Sequence, residues 1–488
     1  MTQPANTSRR IVIIGGGIAG LAAVHRLVEL DTTCRPVLFE ARPRLGGVLS
    51  TLHQDGFQVE QSADNFITTI PYAVDLCRRL GLAEQLVQTN PAYRQTFVVR
   101  SGRLYKLPDG FLMMAPTRWW PLAVTPLLSP LGKLRAALEY FIPPRLDETD
   151  ESMASFVRRR LGREAFDRLV EPLVSAVYAA DMEKLSVEAT LSRFREMERE
   201  HGSLIRAMRR QRKRSGARNK SESGPRYSMF VSLRDGFSSL VAALEARLPQ
   251  GAVRLSTPVA RIERQGDRWR VWYSPHPNPF PKGEGGHSED FDALVLATPS
   301  HEAARLLEPI DAELARGLGS IEHSGTAIVS LGYEQQQIGH PLDGMGAVVP
   351  AVEHLSILAI SFSSGKYVHR APPGKVLLRV FVGGKKRPEL AEMDDDRLRR
   401  LVLDELEKLL KIRGEPCFCN IAHWPGTMPQ YHVGHKQLVD QIEQRAAALP
   451  NLALAGNAYH GVGVPDCIHG GELAAERVLG KSIAVAVD

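Results

Sequence analysis

A β-branched run, Ile11-Val12-Ile13-Ile14, stops abruptly at Gly15-Gly16-Gly17-Ile18-Ala19-Gly20, and these ten residues constrain the fold more than any others in the chain. The run reads as a parallel strand buried on both faces. Gly15, Gly17 and Gly20 follow at the spacing of a tight strand-to-helix turn around a pyrophosphate. The first glycine permits the turn, the second admits backbone N–H groups to the phosphates, and the third lets helix and strand pack closely. The helix follows, with Ala19, Ala23, Leu27 and Leu30 on one face. A second strand, Pro36-Val37-Leu38-Phe39, ends at Glu40, 20 residues past Gly20, where an acidic side chain accepts hydrogen bonds from a ribose. A dinucleotide is therefore the expected ligand, bound by Gly15, Gly16, Gly17, Ile18, Ala19, Gly20, Glu40 and Ala41.

Arg42-Pro43-Arg44-Leu45-Gly46-Gly47 comes directly after Glu40. A nicotinamide domain has no need of an Arg-x-Gly-Gly turn there, whereas the segment Glu40 to Gly47 resembles flavoproteins of the amine oxidase superfamily. The resemblance implies FAD. Its chemistry suits the residues, because the Arg44 guanidinium can meet phosphate oxygens and Gly47 lets backbone approach the cofactor closely.

A chain of 488 residues can bury a large core and should form two or three domains. The net charge of +6 is modest and does not point to nucleic acid. Cys34, Cys77, Cys417, Cys419 and Cys467 are odd in number and lack metal-ligand spacing, so a reducing compartment without disulfides or a metal centre is expected. Residues 1–10 have no apolar core of a secretory signal, and no run of about 18 apolar residues suggests a membrane span. A cytoplasmic protein is expected. The residues carry no signal for an oligomeric state.

Gly56 to Phe66 gives a short strand running into a polar turn, Ala63-Asp64-Asn65-Phe66. Here the resemblance narrows to the porphyrinogen oxidases, which implies that this turn lies beside the isoalloxazine. A helix from about Tyr72 to Leu80 leads to a hairpin, Thr96-Phe97-Val98-Val99 and Leu104-Tyr105-Lys106-Leu107, surrounded by Arg94, Arg100, Arg103 and Lys106. The cations suit a solvated edge or the capture of propionates. The resemblance implies a substrate-anchoring position just before the hairpin, where this chain has Thr96, with Arg94 two residues earlier. Residues 111–131 are apolar and Pro-rich, and Trp119-Trp120 beside Arg118 suits either a large pocket or weak peripheral contact with a membrane interface.

Helices are expected over 131–141 and 153–173. The segment Glu171 to Asp181 again resembles the porphyrinogen oxidases, implying that the small side chains Ala176 and Val177 wall a flat tetrapyrrole. Residues 206–220 form a basic run that reads as a solvated or disordered loop, or as a site for anionic lipid or an acidic partner. Without interleaved aromatics it does not suit RNA. Beyond Phe230 a small meander is expected from 253–255, 257–262 and 269–273, with Val259 holding the adenine through its backbone, as the resemblance implies. Residues 274–289, rich in Pro and Gly, read as an inserted surface loop, and 292–299 as a buried strand. The resemblance places Trp424 on the flavin side.

Near the end, Leu452 to Leu454 leads into Gly456-Asn457-Ala458-Tyr459-His460-Gly461-Val462-Gly463-Val464-Pro465-Asp466. This is a strand, a glycine loop and the start of a helix whose N-terminus would face the pyrimidine edge of the flavin. Gly461 to Ile468 is similar to the signature of the bacterial soluble porphyrinogen oxidases, implying cofactor contacts from Gly456, Val462, Gly463 and Val464.

The expected fold is α/β, with a Rossmann-like FAD-binding domain (9–70, 230–303 and 447–488), a mixed-sheet substrate domain (71–107 and 304–446) and an inserted helical domain (108–215). The resemblance implies an FAD-dependent, O2-using porphyrinogen oxidase of haem biosynthesis, acting on coproporphyrinogen III or protoporphyrinogen IX. No nucleophile or general base stands out, so no catalytic residue is assigned. A flavin amine oxidase, a carotenoid desaturase, and a non-enzymatic escort protein of the same fold are the alternatives.

Overall fold

In the computed structural model, residues 8–116, 118–215, 230–274 and 287–481 are described. Five parallel strands form one sheet in the order Val253–Arg254, Arg35–Phe39, Arg10–Ile14, Ala293–Leu296, Leu452–Leu454. Val12 lies opposite both Val37 and Leu294. The two faces alternate residue by residue. Ile11 and Ile13 pack on helices Ile18–Leu30 and Val464–Val478, while Val12 and Ile14 pack under an antiparallel layer and three further helices. With both faces covered, every position of the central strand must be apolar, as its sequence is.

The antiparallel layer is Val259–Gln265, Arg268–Tyr273 and His287–Phe291. Two expectations are corrected here. Val253–Arg254 is not the first strand of the meander but the outer strand of the parallel sheet. The Leu38 and Glu40 amides donate to Ala252 and Arg254, and left-handed turns at Gly251 and Ser256 bracket the piece. Residues 287–289 are strand and not loop, because the Pro- and Gly-rich stretch that forbids a ladder ends at Gly286. The loop itself, 275–286, lies outside the described residues.

A seven-stranded mixed sheet runs in the order Phe418–Pro429, His323–Glu334, Lys375–Gly383, Ile357–Phe362, Gly346–Val348, Thr96–Arg100, Arg103–Lys106. Its pairs are antiparallel except Gly346–Val348 with Thr96–Arg100. Ala327, Val329, Val380 and Val382 face the Asp395–Leu410 helix through Leu398, Val402 and Leu406. The pleat therefore turns Thr96, Arg379, Phe381, Asn420, Ala422 and Trp424 to the opposite face, toward the rest of the protein.

That face is roofed in part by helices between 119 and 215. The helix expected over 153–173 is broken: Met153–Leu161 ends at Gly162 (φ +90°), and a π turn at Phe166–Val170 precedes a second helix, Glu171–Tyr178. A Cβ at Gly162 would lie 2.5 Å from Arg135 Cγ, so close packing fixes the break. Residues 204–215 of the basic region are helical, not loop, because Leu204 and Met208 dock on the helical core. Residues 216–220 lie outside the described part. Arg160 and Glu139 are fully buried together, and Arg159 and Arg195 meet Glu198 beside them. Among the described residues no helix is long and apolar enough to cross a membrane, and none of the five cysteines is bonded to another.

Candidate functional site

The glycine turn divides its work. A Cβ on Gly15 (φ +110°) would lie 2.5 Å from the Ala297 carbonyl oxygen, and one on Gly20 would lie 1.9 Å from that of Gly15, so the protein's own packing excludes side chains at both. Gly17 differs. Among the described residues a Cβ there would meet no atom within 4 Å, and the Ile18–Leu30 helix that it caps has no side-chain cap. The first-turn N–H groups of Ile18, Ala19 and Gly20 have no intrahelical acceptor, and they face a cradle that suits an anion. Beside Gly15 and Gly456, the buried Thr298 Oγ1 has no hydrogen-bond partner among the described residues.

Glu40 closes the turn from below. Its Oε2 accepts the Gly16 amide and its Oε1 the Arg42 amide, each at 2.7 Å, while Ala41 is exposed beyond it. The Gly46 amide donates to Gly16, and Gly47 (φ +61°) backs onto Gly17, where a Cβ would come within 3.1 Å of its Cα. Arg44 is held by its own loop. Its Nη groups donate to the carbonyls of Leu45, Gly47 and Leu49, at 3.1, 2.8 and 3.3 Å. Left-handed Gly46 and Gly47 turn those carbonyls inward, so the guanidinium organises the loop. Burial, then Arg42, lowers its pKa.

The turn 61–66 lies between this loop and the seven-stranded sheet. Ala63 packs on the core shared by Ile18, Ala19 and Val464, and Phe66 is buried 6.0 Å from the Phe237 ring. Trp424 Nε1 donates to the Gln61 carbonyl at 2.6 Å. Asp64 turns to the sheet, where Oδ2 meets Lys366 Nζ at 2.7 Å and Arg379 Nη1 at 3.3 Å, and Asn65 Nδ2 donates to Oδ1 at 2.8 Å. Burial alone would raise the Asp64 carboxyl, but Lys366 and Arg379 outweigh it and hold the group well below the usual carboxylate range. Arg44, Thr51, Gln61, Asn420, Ala422 and Trp424 line a cavity of about 380 Å³ at this junction.

From the C-terminal side comes the loop between Leu452–Leu454 and the Val464–Val478 helix. Gly456 and Gly461 have φ +131° and +153°. A Cβ on Gly461 or Gly463 would strike the Asp466 carboxyl at 2.5 or 2.7 Å, so the loop can only close over that carboxyl with glycine at both positions. Asp466 sits in the helix's first turn, burial raises its pKa, and the helix N-terminus opens between Val462 and Val464. Tyr431, just past strand Phe418–Pro429, ties this loop to the seven-stranded sheet. Its hydroxyl donates to the Asn457 carbonyl at 2.6 Å and accepts the Gly461 amide at 2.9 Å. The Asn457 side chain is itself engaged with the Thr427 carbonyl. Val259 is buried at the start of its strand, with its carbonyl taking Arg305 Nη2.

Ala176 and Val177 stand exposed near the C-terminal end of Glu171–Tyr178, Val177 at 49%. Ala179 (φ +48°) and Ala180 turn inward, the Ala179 carbonyl accepting Ser324 Oγ and the Lys385 amide. That helix packs on strands 346–348 and 357–362, next to the Thr96–Arg100 strand. Thr96 shares a row with Gly346, Ser361 and Arg379, three strands from Arg379 and so about 14 Å away. The hairpin cations are not gathered at one point. Arg94 is half-buried, Arg100 faces Arg103 at the turn, and Lys106 pairs with Asp343 at 3.3 Å.

Two residues of this junction escape a reading of the sequence alone, Lys366 and Arg379. For Arg379 a signal existed, a lone cation inside Val376-Leu377-Leu378-Arg379-Val380-Phe381-Val382, whose burial demands a partner.

A profile of the flavin-containing amine oxidoreductases matches residues 18–479. Coproporphyrinogen III oxidase of Bacillus subtilis (strain 168) is 33% identical over 96% of this chain and 98% of its own length. Protoporphyrinogen oxidase 1 of Arabidopsis thaliana chloroplasts is 29% identical over 94% of this chain and 86% of its own. A crystal structure from Exiguobacterium sp. 255-15, described as that of a candidate protoporphyrinogen oxidase, superposes with a TM-score of 0.86 at 31% identity, covering 98% of this chain and all of the other.

Proposed function

This chain belongs to the flavin-containing amine oxidoreductases, and on that premise we propose that it binds FAD and oxidises coproporphyrinogen III to the porphyrin with O2 in haem biosynthesis. The observation that carries the substrate is the likeness to coproporphyrinogen III oxidase along nearly the whole of both chains. The residues present fit FAD. The open space at Gly17, the uncapped helix and the unpartnered Thr298 hydroxyl suit its pyrophosphate and ribityl chain, and Glu40 retains lone pairs for a ribose. Val259 would meet the adenine, and Ala63, Asp64, Asn65, Phe66, Trp424, Val462, Gly463 and Val464 the ring system. When bound, FAD supplies the chemistry of taking electrons from the macrocycle and passing them to O2. The protein's own part is to bind, orient and shield. Ala176 and Val177 would give a low apolar wall, Thr96 and Arg94 would meet the propionates, and the uncapped helix at Val464 would favour negative charge near it.

Heat-denatured protein should release a flavin that co-chromatographs with FAD. Release of FMN alone, or of no flavin after incubation with FAD, contradicts the cofactor reading.

The same reading includes a cytoplasmic protein in peripheral contact with lipid. Trp120, Leu131, Leu134 and Phe141 are exposed at 75%, 79%, 60% and 74%. Between Arg118 and Arg145 the only acid is Glu139, which is buried against Arg160. The basic helix Leu204–Ser215 packs alongside, with Arg206 donating to the Tyr140 carbonyl. Apolar side chains with Arg118, Lys133 and Arg206 nearby suit an anionic bilayer surface, although Arg145 is paired with Asp147 and Glu151. Co-sedimentation with phosphatidylglycerol vesicles but not phosphatidylcholine vesicles is expected, and equal recovery with both contradicts the contact.

A further inference from the structure

The turn around Asp64 joins the seven-stranded sheet through a buried cluster with more positive than negative charge. Asp64 meets Lys366 and Arg379, and Glu60, four residues earlier, meets Arg370 at 2.6 Å. Lys366, Arg370 and Arg379 are exposed by only 8%, 2% and 1%. Three cations thus stand against two carboxylates. Neutral groups absorb part of the imbalance: Arg379 Nη2 donates to the Ser62 carbonyl and Arg370 Nη2 to Ser232 Oγ. Arg379 Nε, also buried, has no hydrogen-bond partner among the described residues. Burying an uncompensated cation is costly, and a fold retains one where something anionic comes to it.

We propose that Lys366 and Arg379, metered by Asp64, form an electropositive floor under the flavin that stabilises its reduced, more negative state and so raises its midpoint potential. This rests on the reading that residues 63–66 lie beside the ring. That placement suits the geometry, because Ala63 packs on the apolar core that the Ile18–Leu30 and Val464–Val478 helices both help to build, while Asp64, next to it, faces the sheet. An oxidised, neutral ring gains little from the floor. A ring carrying two more electrons and a net negative charge gains more, since the pairing happens out of water. Lys366 and Arg379 are positioning and electrostatic residues in this account, and touch no substrate.

The test is the midpoint potential of the FAD-loaded protein, measured by dye equilibration in a charge-balanced variant series. Lys366→Gln leaves two cations and two carboxylates, and should shift the two-electron equilibrium toward oxidised flavin at least tenfold, about 30 mV. Asp64→Asn leaves three cations against one carboxylate and should shift it the other way. The double variant restores a surplus of one and should return close to the parent. That ordering follows from charge, and damage to packing would not reproduce it. If Lys366→Gln does not fold, the sign for Asp64→Asn alone decides: a raised potential supports the floor, and an unchanged or lowered one overturns it. Potentials that ignore the series overturn the inference while leaving FAD binding intact. Parent protein that binds no FAD overturns instead the reading on which the inference rests.

Discussion

Glu40 accepts the backbone N–H of Gly16 through one carboxylate oxygen, 2.7 Å away, and so braces the turn whose ligand it is also placed to meet. On the proposed reading a ribose contact would share this side chain with the structural brace, and the two roles are separable by experiment. Glu40→Gln keeps an acceptor for one of the two amides but leaves the other facing an NH2 group. Loss of a buried, charge-assisted hydrogen bond should cost the apoprotein about 2 kcal/mol. A urea midpoint on apoprotein and an FAD titration should both fall in this variant. A fall in affinity with unchanged apoprotein stability would show that Glu40 serves the ligand alone.

The two helix-side glycines should part company. Gly20→Ala places a methyl 1.9 Å from the Gly15 carbonyl oxygen and should destabilise the fold by about 2 kcal/mol or more. Gly17→Ala meets no protein atom. It should change apoprotein stability by less than about 1 kcal/mol, while its FAD affinity drops at least tenfold. Equal FAD affinity in Gly17→Ala and parent would place the pyrophosphate elsewhere.

Acid should open the C-terminal loop through His435. The ring is buried, stacked 4.0 Å from Tyr431, and its Nε2 lies 3.3 Å from the Tyr459 carbonyl. Burial lowers its pKa from 6.5 to about 4. The unfolded chain then binds a proton that the folded one refuses. Stability is intact above about pH 6.5 and is lost as pH falls toward 4, by about 2 kcal/mol between pH 7 and pH 5. Because Tyr431 holds Gly461 and Asn457, flavin release should steepen in the same window. His435→Gln should flatten the pH dependence of the urea midpoint between pH 7 and 5. An unaltered slope would exclude His435 as the cause.

At the hairpin, Lys106 already has Asp343 as a partner and lies on the edge strand. Its replacement by Ala should leave the Michaelis constant for coproporphyrinogen III within about twofold. Arg94→Ala should raise it about fivefold with little change in turnover, the equivalent of about 1 kcal/mol of ground-state binding. Steady-state kinetics on both variants decide between propionate capture and a solvated edge.

What could be read from residues alone was whatever local chemistry determines. Ile11 to Glu40 encodes its own strand, turn, helix and strand, so that half of the cradle was legible. Asp64 was legible as a turn residue, but its partner Lys366 lies 302 positions away, and only the closed sheet joins them. The second role of Arg44 was hidden for a related reason. An arginine before two glycines looks poised for phosphate until the backbone of Gly46 and Gly47 is seen to turn three carbonyls toward it. The broken helix at Gly162 belongs to the same class. A glycine within an amphipathic pattern is tolerated or disruptive according to what packs on it, here Arg135.

Turnover of a porphyrinogen is read by the fluorescence of the porphyrin it yields. Purified, FAD-loaded protein under air should convert coproporphyrinogen III to the fluorescent porphyrin faster than it converts protoporphyrinogen IX, and the signal should stop when O2 is removed. An FAD-loaded protein that leaves both porphyrinogens at the uncatalysed rate contradicts the account.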